Sequence, residues 1–319
     1  MIEVTITKKT QEAQHICSFE LQATSGENLP PFTPGSHIDV HLGQGLIRQY
    51  SLTNHPYQQN AYYIAVLNDP DSRGGSSALH EQYTVGDTLT ISEPRNLFPL
   101  TNDASHYVLV AGGIGITPIL SMAQALSLSK KPFTLFYFSR SSEQAAFVDF
   151  IQDSNFASHC HFLLDNDDNQ DKNLLPDTLA KYQPHAHLYV CGPDGFMDFI
   201  LNSARNAHWD EARLHKEHFS NALLNSADDR GFTVEIASTG QLFNIPADKS
   251  VYEVLSDAGI DIQVSCEQGI CGTCITKVIS GIPDHKDQYL TEQEHQANNV
   301  FTPCCSRAFS EKLVIELTE

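Results

Sequence analysis

Basic residues are scarce in this sequence. Lysine and arginine together number 19, against 39 aspartates and glutamates, which gives 319 residues a formal net charge of −20. A surface of that sign repels the phosphates of nucleic acids, so we expect no nucleic-acid partner. The acidic excess either keeps the protein in solution or steers it onto a basic protein partner, and the composition leaves both interpretations open.

Long apolar runs are also lacking. No stretch approaches the roughly 20 apolar residues that a membrane-spanning helix needs. The first residues, MIEVTITKKT, alternate like a strand and do not form a signal peptide. We therefore expect a cytoplasmic protein without a membrane contact. Apolar residues make up 41% of the chain, which suits a globular protein of two or three domains.

Cysteines are few and unevenly placed, since five of the eight fall in the last 54 residues. A disulfide framework would spread through a small secreted fold, so this clustering indicates metal ligation. In CEQGICGTC, Cys266, Cys271 and Cys274 have the C-x4-C-x2-C spacing that is typical of plant-type [2Fe–2S] clusters. Zinc sites instead favour two C-x2-C pairs. The spacing therefore predicts an iron–sulfur cluster whose fourth cysteine lies farther along the chain.

Two adjacent cysteines compete for that fourth position. They are Cys304 and Cys305, in the segment PCCSRA. Successive side chains on an extended chain face opposite sides, so only one of them can point at the cluster. The spacing alone does not decide between them.

The chain is organised as three successive regions. Short β-type stretches separated by Gly, Pro and Asn predict a small antiparallel barrel over residues 1–100. Buried strands that alternate with helices predict a parallel α/β domain over residues 101–224. A polar, turn-rich stretch predicts a linker at residues 225–231. A hairpin, a helix and the closing strand KLVIEL are predicted within residues 232–319, which carry the clustered cysteines.

Capping residues predict where two helices begin or end. After the strand YVLVAGG, we expect Thr117 to be the N-cap of a helix and Pro118 its first residue. In the third region, Ser250 and Glu253 have the spacing of a capping box, and Gly259 is expected to end that helix.

The barrel contains a candidate anion site. On the strand RQYSL, Arg48 and Tyr50 share one face, and Gln49 and Ser51 share the other. An arginine can bind a phosphate through two hydrogen bonds, and an aromatic side chain can lie along a flavin ring. The segment RGGSSALH places glycines and serines before a short helix, where N–H groups and hydroxyls favour an anion.

The α/β domain contains a candidate nucleotide site. GGIGITP, residues 112–118, follows a strand and begins a helix, but it lacks the third glycine of the standard dinucleotide fingerprint. Cys191 ends a parallel strand, where ligands bind in open α/β sheets. A buried small side chain would explain Cys191 equally well.

Taken together, RQYSLTNHP, SRGGSSALHEQ, CEQGICGTC and NNVFTPCCSRA resemble the phthalate dioxygenase reductase family, within the ferredoxin–NADP reductase superfamily. The resemblance covers essentially the whole chain. It implies an antiparallel flavin-binding β-barrel, a parallel α/β nicotinamide domain and a C-terminal β-grasp ferredoxin domain. It also implies that Cys304, which follows Cys274 after an interval of 29 residues and begins a C-x-S-R-A segment, is the fourth cluster ligand.

The resemblance assigns cofactor-binding roles to residues of the first two domains. For FMN it implies the phosphate ligands Arg48, Gly75, Ser76 and Ser77, the neighbouring Gln49, Tyr50, Ser51 and Gly74, and the ring-lining Ala65, Val66 and Leu67. For NADH it implies Gly112, Gly113, Ser139, Arg140, Gly192 and Pro193. Three residues are expected at the reacting rings, Thr117, Cys191 and Phe219.

The same resemblance implies a function. NADH delivers two electrons to FMN, the [2Fe–2S] cluster receives them one at a time, and a Rieske-type oxygenase is the partner that accepts them. The expected oxygenase substrate is vanillate or a related methoxylated aromatic acid. A reductase for a phthalate- or carnitine-type oxygenase and a free-standing NADH diaphorase are alternatives. A flavin-free electron carrier and an iron–sulfur sensor are rivals from other classes.

Overall fold

The computed structural model describes residues 1–43, 46–70, 74–165, 174–181, 185–219 and 229–317. The acidic segment DNDDNQD spans residues 165–171, and all of it after Asp165 lies outside the described residues, as do residues 225–228 of the predicted linker. The chain divides into two units, Met1–His218 and Phe219–Glu319. The three-domain boundaries drawn from the sequence remain a prediction.

The first unit begins with an antiparallel sheet. Its strands are β1 (Ile2–Ala13), β2 (Ile16–Ala23), β3 (Ser36–His41), β4 (Ile47–Ser51), β5 (Tyr62–Leu67), β6 (Thr88–Ile91) and β7 (Arg95–Asn96). They follow the order β4-β3-β6-β1-β2-β5, with β7 beside β3. An antiparallel bridge between Leu52 and Ile64 joins the two ends of this order. The predicted barrel is confirmed, and α1 (Gly75–Glu81) lies between β5 and β6 in the chain.

A parallel sheet of five strands completes the first unit. Its strands are β8 (His106–Gly112), β9 (Phe133–Ser139), β10 (Cys160–Leu164), β11 (Ala186–Cys191) and β12 (Leu214–Glu217), in the order β10-β9-β8-β11-β12. The helices between them are α2 (Ile116–Leu128), α3 (Val148–Gln152), α4 (Leu174–Lys181) and α5 (Asp194–Asn206). Every residue of β8 is buried, because helices cover both faces of such a sheet.

The start of α2 differs from the expectation. A 3-10 turn over Gly113–Gly115 leads directly into the helix, and Gly115 is the N-cap. Thr117 therefore lies inside the first turn, and its Oγ1 donates to the carbonyl oxygen of Ile114 at 3.0 Å. The prediction of Thr117 as N-cap was wrong, because the glycine-rich turn already has helical geometry before the threonine is reached.

The second unit has the β-grasp arrangement that the resemblance implied. Its main sheet contains β13 (Phe232–Ile236), β14 (Leu242–Ile245), β15 (Thr276–Ser280), β17 (Val300–Phe301) and β19 (Lys312–Glu316), in the order β14-β13-β19-β15-β17. The terminal strand β19 pairs parallel to β13. A small second sheet joins β16 (Pro283–Asp284) to β18 (Arg307–Ala308), and the helices are α6 (Val251–Asp257) and α7 (Glu292–Ala297).

The predicted capping box at α6 is confirmed, since the Ser250 side chain accepts from the Glu253 N–H and the Glu253 side chain accepts from the Ser250 N–H. Within the described part of the chain, no helix combines the length and the apolar character that crossing a membrane requires.

Candidate functional site

The candidate anion site joins β4 to the start of α1. A Cβ added to Gly75 would lie 2.5 Å from Cγ of Arg48, so only glycine lets the arginine stem pass this close to the helix. The preceding Gly74 has φ +91°, a conformation that favours glycine. The first N–H groups of a helix have no partner within it. A guanidinium and a helix start thus converge here, as a phosphate requires.

The two serines of this loop fix its shape. The Ser77 hydroxyl donates to the carbonyl of Gly74 at 3.1 Å, and the Ser76 Oγ accepts from the N–H of Asp69 at 3.2 Å.

The strand β4 separates its side chains as the alternation predicts. Tyr50 is partly buried against the barrel core, and burial raises the pKa of its hydroxyl, so it presents a neutral aromatic surface. On the opposite face, the Gln49 Nε2 donates to Asp39 Oδ1 at 3.0 Å. The structure therefore does not place Gln49 on the face shared by Arg48 and Tyr50.

The predicted ring-lining residues on β5 also point to two sides. Val66 is 1% exposed and packs in the barrel core, so its side chain is turned inward. Ala65 packs with Ile16 and Ala146, whereas Leu67 is 38% exposed. A ligand on the outer side of the barrel could therefore contact the backbone of Val66 but not its side chain.

The glycine pair at the end of β8 does not behave uniformly. A Cβ on Gly112 would lie 2.8 Å from the ring of Phe196, whereas a Cβ on Gly113 would meet nothing within 4 Å. The lack of a side chain at Gly112 thus makes room for Phe196 of α5. Of the two glycines expected to let the nucleotide approach, Gly113 is the one with open space beside it. Phe196 was not foreseen from the sequence.

The buried thiol of Cys191 and the half-buried side chain of Glu217 meet where β11 and β12 end. Cys191 pairs with Glu217 in the parallel ladder, and Cys191 is fully buried. The Glu217 Oε2 is shielded from solvent and has no hydrogen-bond partner among the described residues. Burial raises the pKa of Glu217 to about 8, and the Ser51 hydroxyl opposes this by hydrogen bonding to the carboxylate. Burial and the nearby Glu217 likewise raise the pKa of Cys191 well above its ordinary value.

Sequence reasoning missed Glu217. Phe219 is the only residue of the segment KEHF, residues 216–219, to which the resemblance gives a role, and an acidic residue in an otherwise ordinary strand carries no motif. The strand register is what places Glu217 between Cys191 and Ser51. A buried ionisable residue with a strongly shifted pKa is a common signature of a functional site.

The remaining predicted nucleotide-site residues lie at the same edge of the sheet. Pro193 is the N-cap of α5, directly after Gly192, and Asp194 Oδ1 lies 2.8 Å from Nδ1 of His218. The Ser139 hydroxyl donates to the carbonyl of Ser141, and the neighbouring Arg140 is exposed.

Phe219 is the last of the residues expected at the reacting rings. It is 39% exposed and is the first residue of the second unit. Its predicted contact with the flavin stays a prediction.

In the second unit, the four predicted cluster ligands form two pairs. Cys266 and Cys271 are hydrogen-bonded neighbours, and Cys274 Sγ lies 3.3 Å from Cys304 Sγ. Among the described residues, no three cysteine sulfurs lie within 4.8 Å of one another, as a tetrahedral zinc site would require. Two separate thiol pairs suit a cluster with two irons.

The thiol of the adjacent Cys305 lies beside that of Cys304 but has neighbours of its own. Cys305 Sγ lies 3.2 Å from the Thr302 Oγ1 and 3.9 Å from the Ser306 Oγ. A Cβ on Gly269 would lie 2.4 Å from Cys305 Sγ, so Cys305 packs behind the ligand loop. This geometry favours Cys304 as the fourth ligand.

The ligand loop fits an iron–sulfur cluster. Gly269 has φ +69°, and the N–H of Gln268 donates to Cys266 Sγ at 3.3 Å. The Cys266 thiol, the Thr273 hydroxyl and nearby N–H groups lower the pKa of Cys271, whereas the hydrogen bond to Cys271 and burial raise the pKa of Cys266. Donors directed at sulfur favour thiolates, the form that binds iron.

Two family profiles match parts of the chain. Residues 234–309 match the 2Fe-2S iron-sulfur cluster binding domain. Residues 92–214 match the N-terminal domain of proteins like the dimethylamine monooxygenase subunit DmmA.

Full-length relatives share this architecture. The chain is 52% identical to the vanillate O-demethylase oxidoreductase of Pseudomonas sp. strain HR199, over 99% of this chain and 100% of the relative. It is 38% identical to the phthalate dioxygenase reductase of Burkholderia cepacia, over 99% and 97%. A solved structure of phthalate dioxygenase reductase superposes with a TM-score of 0.81 at 38% identity, over 99% and 98%.

Proposed function

Because this chain belongs to the phthalate dioxygenase reductase family, we propose that it is the reductase component of a Rieske-type oxygenase that demethylates vanillate or a related methoxylated aromatic acid. It is an oxidoreductase that uses NADH, FMN and a [2Fe–2S] cluster. The observation that carries the substrate proposal is the 52% identity, over the full length, to a vanillate O-demethylase oxidoreductase.

Arg48 and the start of α1 are the proposed holders of the FMN phosphate. The close approach of the arginine stem to Gly75 supports this assignment, because it brings a fixed positive charge to the N–H groups of the helix start. Tyr50 supplies an aromatic surface on the same face of β4. FMN, when bound, links two-electron hydride chemistry to one-electron transfer, which the cluster continues.

Cys191, Glu217, Ser51 and Thr117 form the proposed nicotinamide corner. With a pKa of about 8, the Glu217 carboxyl holds its proton at neutral pH, so it places no negative charge at this corner. Thr117 is 2% exposed and Cys191 is fully buried, which excludes water. Excluding water strengthens the electrostatic interactions inside a closed site and limits side reactions of a reduced cofactor.

The four cysteines Cys266, Cys271, Cys274 and Cys304 are the proposed iron ligands, and the ferredoxin unit is the proposed exit for electrons. The acidic surface is the proposed guide for docking onto the oxygenase. The proposal places the reaction in the cytoplasm, where NADH is formed.

A reconstituted assay tests the proposal. The purified chain is mixed with a vanillate-demethylating oxygenase, and NADH oxidation and formaldehyde release are followed together. We expect both to depend on vanillate and to proceed in step, and NADPH to be a much poorer donor. Phthalate and carnitine, each with an oxygenase that acts on it, are the comparison reactions.

Three results would overturn parts of the proposal. Faster turnover with the phthalate or carnitine oxygenase would refute the vanillate assignment. NADH oxidation without any transfer to an oxygenase would identify a diaphorase. A tenfold preference for NADPH would refute the nucleotide assignment.

A further inference from the structure

A group of metal-binding side chains lies in the ferredoxin unit apart from the cysteines. Residues 219–319 contain two histidines, His285 and His295, and both belong to this group. With Asp287 they bring one ligand atom each to within 4.8 Å of one another. None of the three residues is among the four predicted cluster ligands.

The carboxylate at the centre of the group is buried. The Asp287 side chain is 0% exposed, and its Oδ2 accepts from the N–H of Leu290 at 2.8 Å and from that of Tyr289 at 3.2 Å. These bonds fix the orientation of the carboxylate on its loop. A buried carboxylate requires neighbouring positive charge or several hydrogen bonds, since burial strongly disfavours an isolated anion.

His285 lies beside this carboxylate. Its side chain is 9% exposed, and its Nδ1 lies 3.7 Å from Asp287 Oδ1. Among the described residues, neither ring nitrogen of His285 makes a hydrogen bond of normal geometry. Burial, and the nearby His295, lower the pKa of His285, so the ring is neutral near pH 7 and keeps a lone pair for a cation.

His295 approaches the same carboxylate from α7. Its Nε2 lies 3.3 Å from Asp287 Oδ2, and its ring stacks on that of His285 with centroids 4.4 Å apart. A capping box formed by Thr291 and Glu294 fixes the start of α7. The side chain of His295 is 30% exposed, so water reaches the group from this side.

We propose that His285, Asp287 and His295 form a binding site for a divalent transition-metal ion of the zinc type. Two imidazoles and one carboxylate are ligands that zinc prefers, whereas magnesium and calcium select oxygen ligands. Two ligands on one tetrahedral zinc lie roughly 3.3 Å apart. Small ring rotations, easiest for the partly exposed His295, bring the ligand atoms to that separation, and water completes the coordination.

Such an ion would brace the loop behind the iron–sulfur cluster. The N–H of Gln288 donates to the carbonyl of Gly269 at 3.0 Å, and a Cβ on Gly269 would lie 3.0 Å from Cα of Asp287. The ion would join this loop to α7 and stabilise the ferredoxin unit without contacting the four cysteines.

Zinc titration of the full-length protein, loaded with flavin and iron–sulfur cluster, tests the site. We expect saturable binding of one zinc per chain with the cluster absorbance unchanged, and weakening by roughly tenfold or more in His295→Gln. His295→Cys, which keeps a zinc ligand, should restore binding. His185→Gln, at an exposed histidine in the first unit, is the matched control and should bind like the wild type.

Thermal unfolding gives a second readout. Zinc should raise the unfolding temperature of the wild type and leave that of His295→Gln unchanged, because an ion that binds only the folded state stabilises it. Equal zinc binding by the wild type and His295→Gln would overturn the proposal. So would non-saturable binding, or uptake that occurs only as the cluster absorbance is lost.

Discussion

The two units of this chain build their sites in different ways. In the second unit, the residue type itself supplies the chemistry, since cysteine sulfurs are the iron ligands and their spacing is visible in CEQGICGTC. In the first unit, the corresponding residues are common ones, and strand register gives them their role. Glu217 matters because β12 pairs it with Cys191. A site whose residue types have a distinctive chemistry can therefore be recognised in the sequence. A site built from common residues can be recognised only once the fold shows which of them lie together.

The largest effect should come from the paired cysteines. We expect Cys304→Ser to abolish the visible and electron paramagnetic resonance signals of the native cluster, because Cys304 faces Cys274. Cys305→Ser is the matched control and should keep both signals, because Cys305 faces Thr302. Loss of the cluster in Cys305→Ser but not in Cys304→Ser would reverse the assignment.

A large effect is also expected at the flavin phosphate. Arg48→Ala should weaken FMN binding by roughly 10- to 100-fold, since a hydrogen bond to a charged group contributes about 1.5–3 kcal/mol. Equilibrium dialysis with flavin fluorescence measures the affinity. Arg205→Ala removes an exposed arginine that pairs with Glu211, and should leave the affinity unchanged. Equal affinities in the two variants would rule out Arg48 as a phosphate ligand.

Glu217 should make the stability of the first unit depend on pH. Its folded pKa, about 8, is higher than the ordinary value of 4.5. Its contribution is therefore full below pH ~4 and is lost as the pH rises through about 8, at no more than ~1.4 kcal/mol per pH unit. Trp209, the single tryptophan, lies in this unit and reports its unfolding. Glu217→Gln should flatten the pH dependence of the free energy of unfolding.

Glu211→Gln is the control for that experiment. Arg205 lowers the pKa of Glu211, which is exposed, so this residue does not destabilise the fold as the pH rises. If Glu217→Gln and the wild type lost stability equally between about pH 6 and pH 9, the buried-acid assignment would fail.

The smallest effect concerns the acidic surface. Electron transfer from the full chain to its oxygenase should slow several-fold between low and high salt, because the Debye length falls from about 10 Å at 0.1 M to about 3 Å at 1 M. NADH oxidation with a neutral quinone acceptor is the control. A salt-independent transfer rate would leave the net charge of −20 without a docking role.

Much of the fold was predictable because it rests on local patterns. The alternating strands and the capping box of α6 agree with the structure. The spacing of Ile119, Met122 and Leu126 is that of one helix face, and this face is buried in α2. The start of α2 was misplaced, since a 3-10 turn is not visible in residue types.

The candidate site was less completely predictable. Three cysteine ligands follow from spacing and the fourth from the family resemblance, but the inward direction of Val66 and the contact of Phe196 with Gly112 follow from packing. The group of His285, Asp287 and His295 was also missed, because its members meet only when α7 packs beside the loop that follows β16.

Electron transfer by a chain that ends at residue 225 tests the central claim most directly, because it retains the whole first unit and lacks the iron–sulfur domain. The full-length Cys304→Ser variant, which keeps both units but should lack the cluster, is measured in the same assays. We predict that both oxidise NADH with ferricyanide at rates near that of the wild type and that neither reduces the oxygenase. Oxygenase reduction by either form at the wild-type rate would show that electrons leave without the cluster and would contradict the account.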